Sequence, residues 1–255
     1  MLTTGVASVT FRSRTVADVV GLAAGAGLEV LEWAGDVHVP ADDLAAAADA
    51  QAATVDHGLR VGTYGTYYKA GVDDPDAVPA LVRTARELGA PRLRVWAGTV
   101  GSDDTPVLQR AAVVEALREC VDRAGEAGLG VVVEHHVSSL TDTLASALTL
   151  RSEVPGLVAH WQPRELPDTG ECLAEVHALV PAVVHAFSWG ADGFTERLPL
   201  DARADLWRPV LAALAAQGGD AEVVLEFVPG DDVDAFERDA ARLRGWRDEQ
   251  LSVAS

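Results

Sequence analysis

Four short apolar runs in the second half of the chain end in side chains that can do chemistry. Val131-Val132-Val133 leads into Glu134-His135-His136, Val158-Ala159 into His160-Trp161-Gln162-Pro163, Val183-Val184 into His185, and Val223-Val224-Leu225 into Glu226. Read as strands, these runs put residues two apart on one face, so Glu134 falls with His136, and Glu226 with Val224 and Val228. If that face is the interior of a closed sheet, Glu134, His185 and Glu226 converge. Two carboxylates in an apolar mouth repel each other and lose hydration unless they are protonated, paired with a cation or bound to metal. A divalent ion removes that conflict. Two glutamate oxygens, an imidazole nitrogen and one further oxygen or nitrogen donor suit Mn²⁺, Mg²⁺ or Zn²⁺ and leave positions for a substrate. Singly, each Glu reads as a solvent-facing strand end and each His as a satisfied core residue; three of them at strand ends favour the ion.

The elements that would position these groups repeat from end to end. The strand-like runs are Gly5 to Phe11, Leu28 to Ala34, Arg60 to Tyr64, Arg92 to Trp96, Gly130 to His136, Leu157 to Gln162, Val183 to Trp189 and Ala221 to Val228. Each is followed by an Ala/Leu-rich stretch with helical spacing. Most are too apolar for a sheet wet on one face, which fits buried parallel strands. Helices are expected to open after Asp74-Pro75, Thr105-Pro106 and Asp168-Thr169, and to close at Gly27, Gly58, Gly89, Gly128 and Gly156. Pro79 needs a place near a helix start, and Pro209 predicts a helix beginning around Arg208. Eight such units in 255 residues match an α/β fold of the single (β/α)8 TIM-barrel type, one domain over residues 1–255, with Leu251 to Ser255 fraying. An open doubly wound sheet would carry a glycine-rich phosphate loop after its first strand, and Phe11-Arg12-Ser13-Arg14 has no glycine.

Composition narrows the function. The chain carries 20 Lys+Arg against 39 Asp+Glu, a formal charge of −19, which repels a phosphate backbone and argues against nucleic acid as partner. No apolar run approaches the roughly 20 residues needed to cross a bilayer. Met1 to Thr10 lacks the pattern of a secretory leader, and Cys120 and Cys172 lack metal-ligand or disulfide-framework spacing. A cytoplasmic protein with inert core thiols is expected. The acidic pairs Asp42-Asp43 and Asp231-Asp232 read as a solvated rim.

The pattern Glu134, His185 and Glu226, with Leu31-Glu32-Trp33-Ala34-Gly35-Asp36-Val37-His38 after the second strand and Thr141-Asp142-Thr143 opening the fifth helix, resembles the xylose isomerase-like sugar isomerase/epimerase superfamily over essentially the whole chain. The resemblance implies a TIM barrel that holds Mn²⁺, or alternatively Mg²⁺, Zn²⁺ or Co²⁺, through Glu, Asp, His and Glu from strands five to eight. Glu134 and Glu226 then correspond to ligands that also act as acid/base carboxylates, and His185 to the imidazole ligand. The sixth strand departs from the pattern. Where the family usually has Asp, this chain offers Gln162 at the strand end or His160 two residues earlier, and Gln162 is preferred as the fourth ligand; a neutral amide weakens the hold on a hard cation.

Trp33, Tyr64, Tyr67, Trp96 and Trp189 fall at or just after strand ends, where their faces could stack on a sugar. His38 with Asp36 and, two residues beyond Glu134, His136 are candidates for contacts to substrate hydroxyls. His57 and His177 read as surface residues of helices. The expected activity is proton transfer beside a carbonyl of a small sugar or sugar derivative through a metal-stabilised enediolate, an isomerase or epimerase of carbohydrate metabolism. The alternatives are a metal-dependent dehydratase or hydrolase on the same barrel, a Schiff-base aldolase using Lys69, the only lysine, and a metal-free carbohydrate-sensing barrel.

Overall fold

The computed structural model describes residues 1–165 and 168–253. Eight strands close in the order β1-β10-β7-β6-β5-β4-β3-β2, a parallel TIM barrel, and β8 and β9 form a separate antiparallel hairpin. In chain order the strands are β1 (Leu2–Ala7), β2 (Val30–Ala34), β3 (Arg60–Lys69), β4 (Arg92–Trp96), β5 (Gly130–Glu134), β6 (Leu157–Trp161), β7 (Val183–Ala186), β8 (Ser188–Gly190), β9 (Gly193–Leu198) and β10 (Ala221–Leu225). The helices are α1 (Val16–Gly25), α2 (Leu44–Asp56), α3 (Val78–Glu87), α4 (Val107–Glu126), α5 (Leu144–Glu153), α6 (Thr169–Leu179), α7 (Ala204–Ala216) and α8 (Val233–Val253). No described helix is long and apolar enough to cross a membrane. Compactness divides the chain into Met1–Glu32, Ala53–Arg60 and Pro163–Ser255 as one unit, and Trp33–Ala52 and Val61–Gln162 as the other.

In the first unit, β1 lies between β2 and β10, and β10 pairs with β7. The register sets Val30, Gly5, Val224 and His185 in one row. Gly5 is required there by space: a Cβ would meet the Val30 carbonyl oxygen at 2.3 Å and Val224 Cγ1 at 2.9 Å. Gly5→Ala is therefore expected to destabilise by about 2–3 kcal/mol as an overpacked core residue, read by denaturant unfolding.

In the second unit, Arg94, Val132 and Val158 form one row across β4, β5 and β6, and Glu134 lies beside His160 in the ladder. Thr143 caps α5 by accepting the Ser146 N–H. In the first unit, Thr15 and Asp18 close a capping box on α1, and Asp168 accepts the Glu171 N–H at the start of α6.

The structure moves several expected boundaries. The first strand begins at Leu2 and ends at Ala7, because Ser8–Phe11 turn into a buried 3₁₀ segment whose Phe11 packs edge-on against Phe236 of α8 at 5.1 Å. β3 continues to Lys69 past an irregularity after Gly65, with Lys69 beside Trp96. The seventh barrel strand stops at Ala186, and the expected remainder becomes the β8–β9 hairpin, turned at Gly193 with φ +64°. Pro209 lies inside α7, which starts at Ala204 and not near Arg208. Burial of Leu206, Trp207, Val210, Leu211 and Leu214 on one side outweighs the roughly 3 kcal/mol that an interior proline costs. Pro79 sits in the first turn of α3, and all five expected helix-closing glycines have positive φ. α8 continues through Val253, so Leu251 to Val253 are helical and only Ala254 and Ser255 of the expected frayed end lie outside the described residues.

Asp239 of α8 is buried and accepts the Leu200 N–H at 2.9 Å. Burial pushes its carboxyl up to about 6, against the lowering effect of that hydrogen bond. The folded state then holds its proton more tightly than the unfolded chain, so stability falls as pH rises from about 4 to 6. Asp239→Asn keeps an acceptor without the charge; it is expected to add about 1 kcal/mol at pH 7 and flatten that limb of the pH–stability curve.

Candidate functional site

Three polar side chains meet on the buried face of the first unit. Glu32 stands two residues beyond Val30 in β2, and Glu226 two beyond Val224 at the end of β10, so both lie one step above the row that contains His185. The fully buried His185 ring reaches between them. Its Nε2 is 3.2 Å from Glu32 Oε1, and its Nδ1 is 3.2 Å from Glu226 Oε2. Burial alone would drive the imidazole proton off, but the charges of Glu226 and Glu32 and their hydrogen bonds prevail and raise its pKa to about 10. In this arrangement both ring nitrogens carry protons and donate to carboxylates. Glu226 is held by its own N–H, which donates to the Ala186 carbonyl at 3.1 Å.

The second unit contributes a different constellation. Glu134 is buried and ion-paired through Oε2 with Nε of the buried Arg94, at 3.2 Å. Thr141 donates its hydroxyl to the Glu134 carbonyl at 2.5 Å and accepts the His136 N–H at 3.3 Å, which ties the strand end to the loop that follows. His136 Nδ1 accepts the Ser138 N–H at 3.4 Å, so a neutral ring carries its proton on Nε2. That ring lies 4.2 Å from Trp96, which stacks on Tyr67 at 6.3 Å, and the Arg94 guanidinium stands 5.6 Å over the Tyr67 ring. Trp96 Nε1 is buried without a hydrogen-bond partner. The result is an aromatic wall carrying nitrogen donors.

The other expected site residues are placed as follows. Gln162 is half-buried, one residue past β6, and His160 is fully buried within β6. Trp33 and Tyr64 have no exposed surface; Tyr64 donates to the Val39 carbonyl at 2.9 Å, and Trp33 packs edge-on to His38 at 5.7 Å. His38 is buried, at 8% exposure. Trp189 packs at a tilt against Phe187 at 4.5 Å and against Phe227 at 6.0 Å in the first unit. His57 and His177 are exposed. Glu32 is the residue that sequence reasoning used only as part of a motif; the signal was a lone carboxylate in the apolar run Val30-Leu31-Glu32-Trp33-Ala34.

Among the described residues, the side chains whose types and burial could hold a metal ion are Glu32, His160 and His185. Oxygen and imidazole donors without thiolate fit a divalent ion such as Mn²⁺, Mg²⁺ or Zn²⁺.

The fold has close counterparts among solved structures. The probable 3-DHS dehydratase AsbF of Bacillus anthracis superposes with a TM-score of 0.81 at 19% identity, covering 96% of this chain and 99% of its own. D-psicose 3-epimerase in the presence of D-fructose gives 0.72 at 15% identity, with 98% and 99% covered. A xylose isomerase-like TIM barrel protein of Mycobacterium smegmatis in complex with magnesium gives 0.71 at 15% identity, with 97% of each chain covered. At such identities the likeness is one of fold. No curated protein matches the sequence. The family model described as xylose isomerase-like TIM barrel matches residues 20–164, more than half of the chain, and it agrees with the closed parallel barrel. The chain belongs to the xylose isomerase-like TIM barrel family.

Proposed function

We infer that the protein is a divalent-metal-dependent isomerase or epimerase of a small sugar or sugar derivative, moving a proton at the carbon beside a carbonyl. The observation that carries this reading is the pair of buried carboxylates, Glu32 and Glu226, on the two ring nitrogens of His185. Glu32, His160 and His185 would hold the ion, with Glu134, Gln162 and Glu226 as the further donors to which the sequence points. When bound, it would polarise the substrate carbonyl and stabilise the negative charge that develops on oxygen. Glu226 and Glu134 are the acid/base pair: one carboxylate removes the proton and the other returns it, to the opposite face for an epimer or to the adjacent carbon for an aldose–ketose interconversion. The wall of Tyr67, Trp96 and His136 offers ring faces to the C–H side of a sugar. Family membership, together with a fold neighbour that is named an epimerase, supports the same reading.

The test is a panel of ketoses and aldoses incubated in D₂O with Mn²⁺. Deuterium at the carbon beside the carbonyl is expected for at least one substrate; none with any substrate at full metal occupancy would remove the reading. Product analysis separates proton transfer from loss of water, the reaction named for the B. anthracis neighbour.

A further inference from the structure

Glu226 is followed by a backbone conformation that its neighbour resists. Phe227 has φ +58°, the left-handed region, which a bulky aromatic residue occupies at a cost of about 1–2 kcal/mol. A buried side chain from the other end of the sequence brackets this point. The Thr10 hydroxyl, in the 3₁₀ segment after β1, accepts the Phe227 N–H at 3.1 Å and donates to the Leu225 carbonyl in a long bond of 3.5 Å. It thereby holds the peptide groups on both sides of Glu226. Above the turn, the Arg197 guanidinium lies 4.4 Å over the Phe227 ring and pairs with Asp231, and Trp189 faces the same ring.

We propose that Thr10 is a positioning residue for Glu226, whose hydroxyl fixes the left-handed turn that aims the carboxylate at His185 Nδ1. The two glutamates on His185 contact different nitrogens, and this separates positioning from general stability. Thr10 touches the backbone around Glu226, so loss of its hydroxyl acts on Nδ1 directly and on Nε2, which faces Glu32, only through the ring. The proposal rests on the backbone geometry around Glu226 and stands whether or not the isomerase reading does.

The experiment uses the full chain, metal-free and ¹⁵N-labelled, with both His185 ring nitrogens read through the carbon-bound ring protons. In Thr10→Val the Nδ1 resonance is expected to move clearly further than Nε2, and Thr10→Ser should restore Nδ1. An unmoved Nδ1, equal movement of both nitrogens, or a Thr10→Ser protein that behaves like Thr10→Val would overturn the proposal. If Thr10→Val alone does not fold, the double variant Thr10→Val/Phe227→Gly carries the same test. Glycine takes the left-handed turn without a clamp, so Nδ1 is expected at its wild-type position; a displaced Nδ1 in that variant would contradict the assigned role.

Discussion

Replacing Glu226 with Gln is expected to lower deuterium exchange into a turned-over sugar by about 10²–10⁴-fold, the usual contribution of a positioned acid or base. The amide oxygen can still accept the His185 Nδ1–H, so the fold survives, and metal content measured beside the rate separates a lost proton-transfer group from a lost donor to the ion. Glu134→Gln is expected to act in the same direction. It also takes away the carboxylate that pairs with the buried Arg94, so some stability goes with the activity. Rates and melting temperatures measured side by side on the two variants check this: exchange retained in either one removes that residue from the acid/base pair.

The largest effect on stability is expected at His185. Leucine in its place leaves Glu32 and Glu226 buried without the cation that now lies between them, a loss of about 3–5 kcal/mol. For a chain of this size that lowers the melting temperature by roughly 6–20 °C. Adding Glu32→Gln and Glu226→Gln to His185→Leu should recover much of the loss, because the repulsion disappears with the charges. The same reasoning fixes the sign of the pH dependence in the metal-free protein. The folded imidazole titrates at about 10, above its ordinary value of 6.5. Its contribution is therefore whole below about 6.5 and disappears as pH rises toward 10. The alkaline limb should be flatter in His185→Leu, as thermal melts between pH 6 and 10 would report.

The barrel could be read from the sequence because its signal is redundant. Eight apolar runs alternate with helical stretches, and a displaced boundary at one run does not disturb the other seven. His185 and Glu226 could be read for a related reason, since a charged or titratable group at the end of a buried strand is costly and so conspicuous. Glu32 was as conspicuous in its own run, but nothing local says which of several strand-end carboxylates share a histidine; register decides that, and register is a property of the closed sheet. The Arg94–Glu134 pair joins residues on neighbouring strands 40 positions apart, and no periodicity within one strand announces it. Trp33 and Tyr64 fall at strand ends, where sequence alone makes them candidate sugar platforms. Their complete burial follows from what covers them, in the case of Tyr64 a close approach of Gly35 to its ring. The Thr10 clamp was equally invisible, because it depends on the left-handed turn at Phe227, which few would assign to an aromatic residue.

The reading turns on whether Glu32, His185 and Glu226 exchange their shared protons for an ion. Crystals of the protein soaked in Mn²⁺ and measured at the manganese edge answer it directly. One anomalous peak per chain is expected, at coordination distance from Glu32 and His185, with the imidazole nitrogen that meets it stripped of its hydrogen bond to a carboxylate. A full-strength soak that leaves no peak there, and His185 still donating to both glutamates, would contradict the metal-centre account.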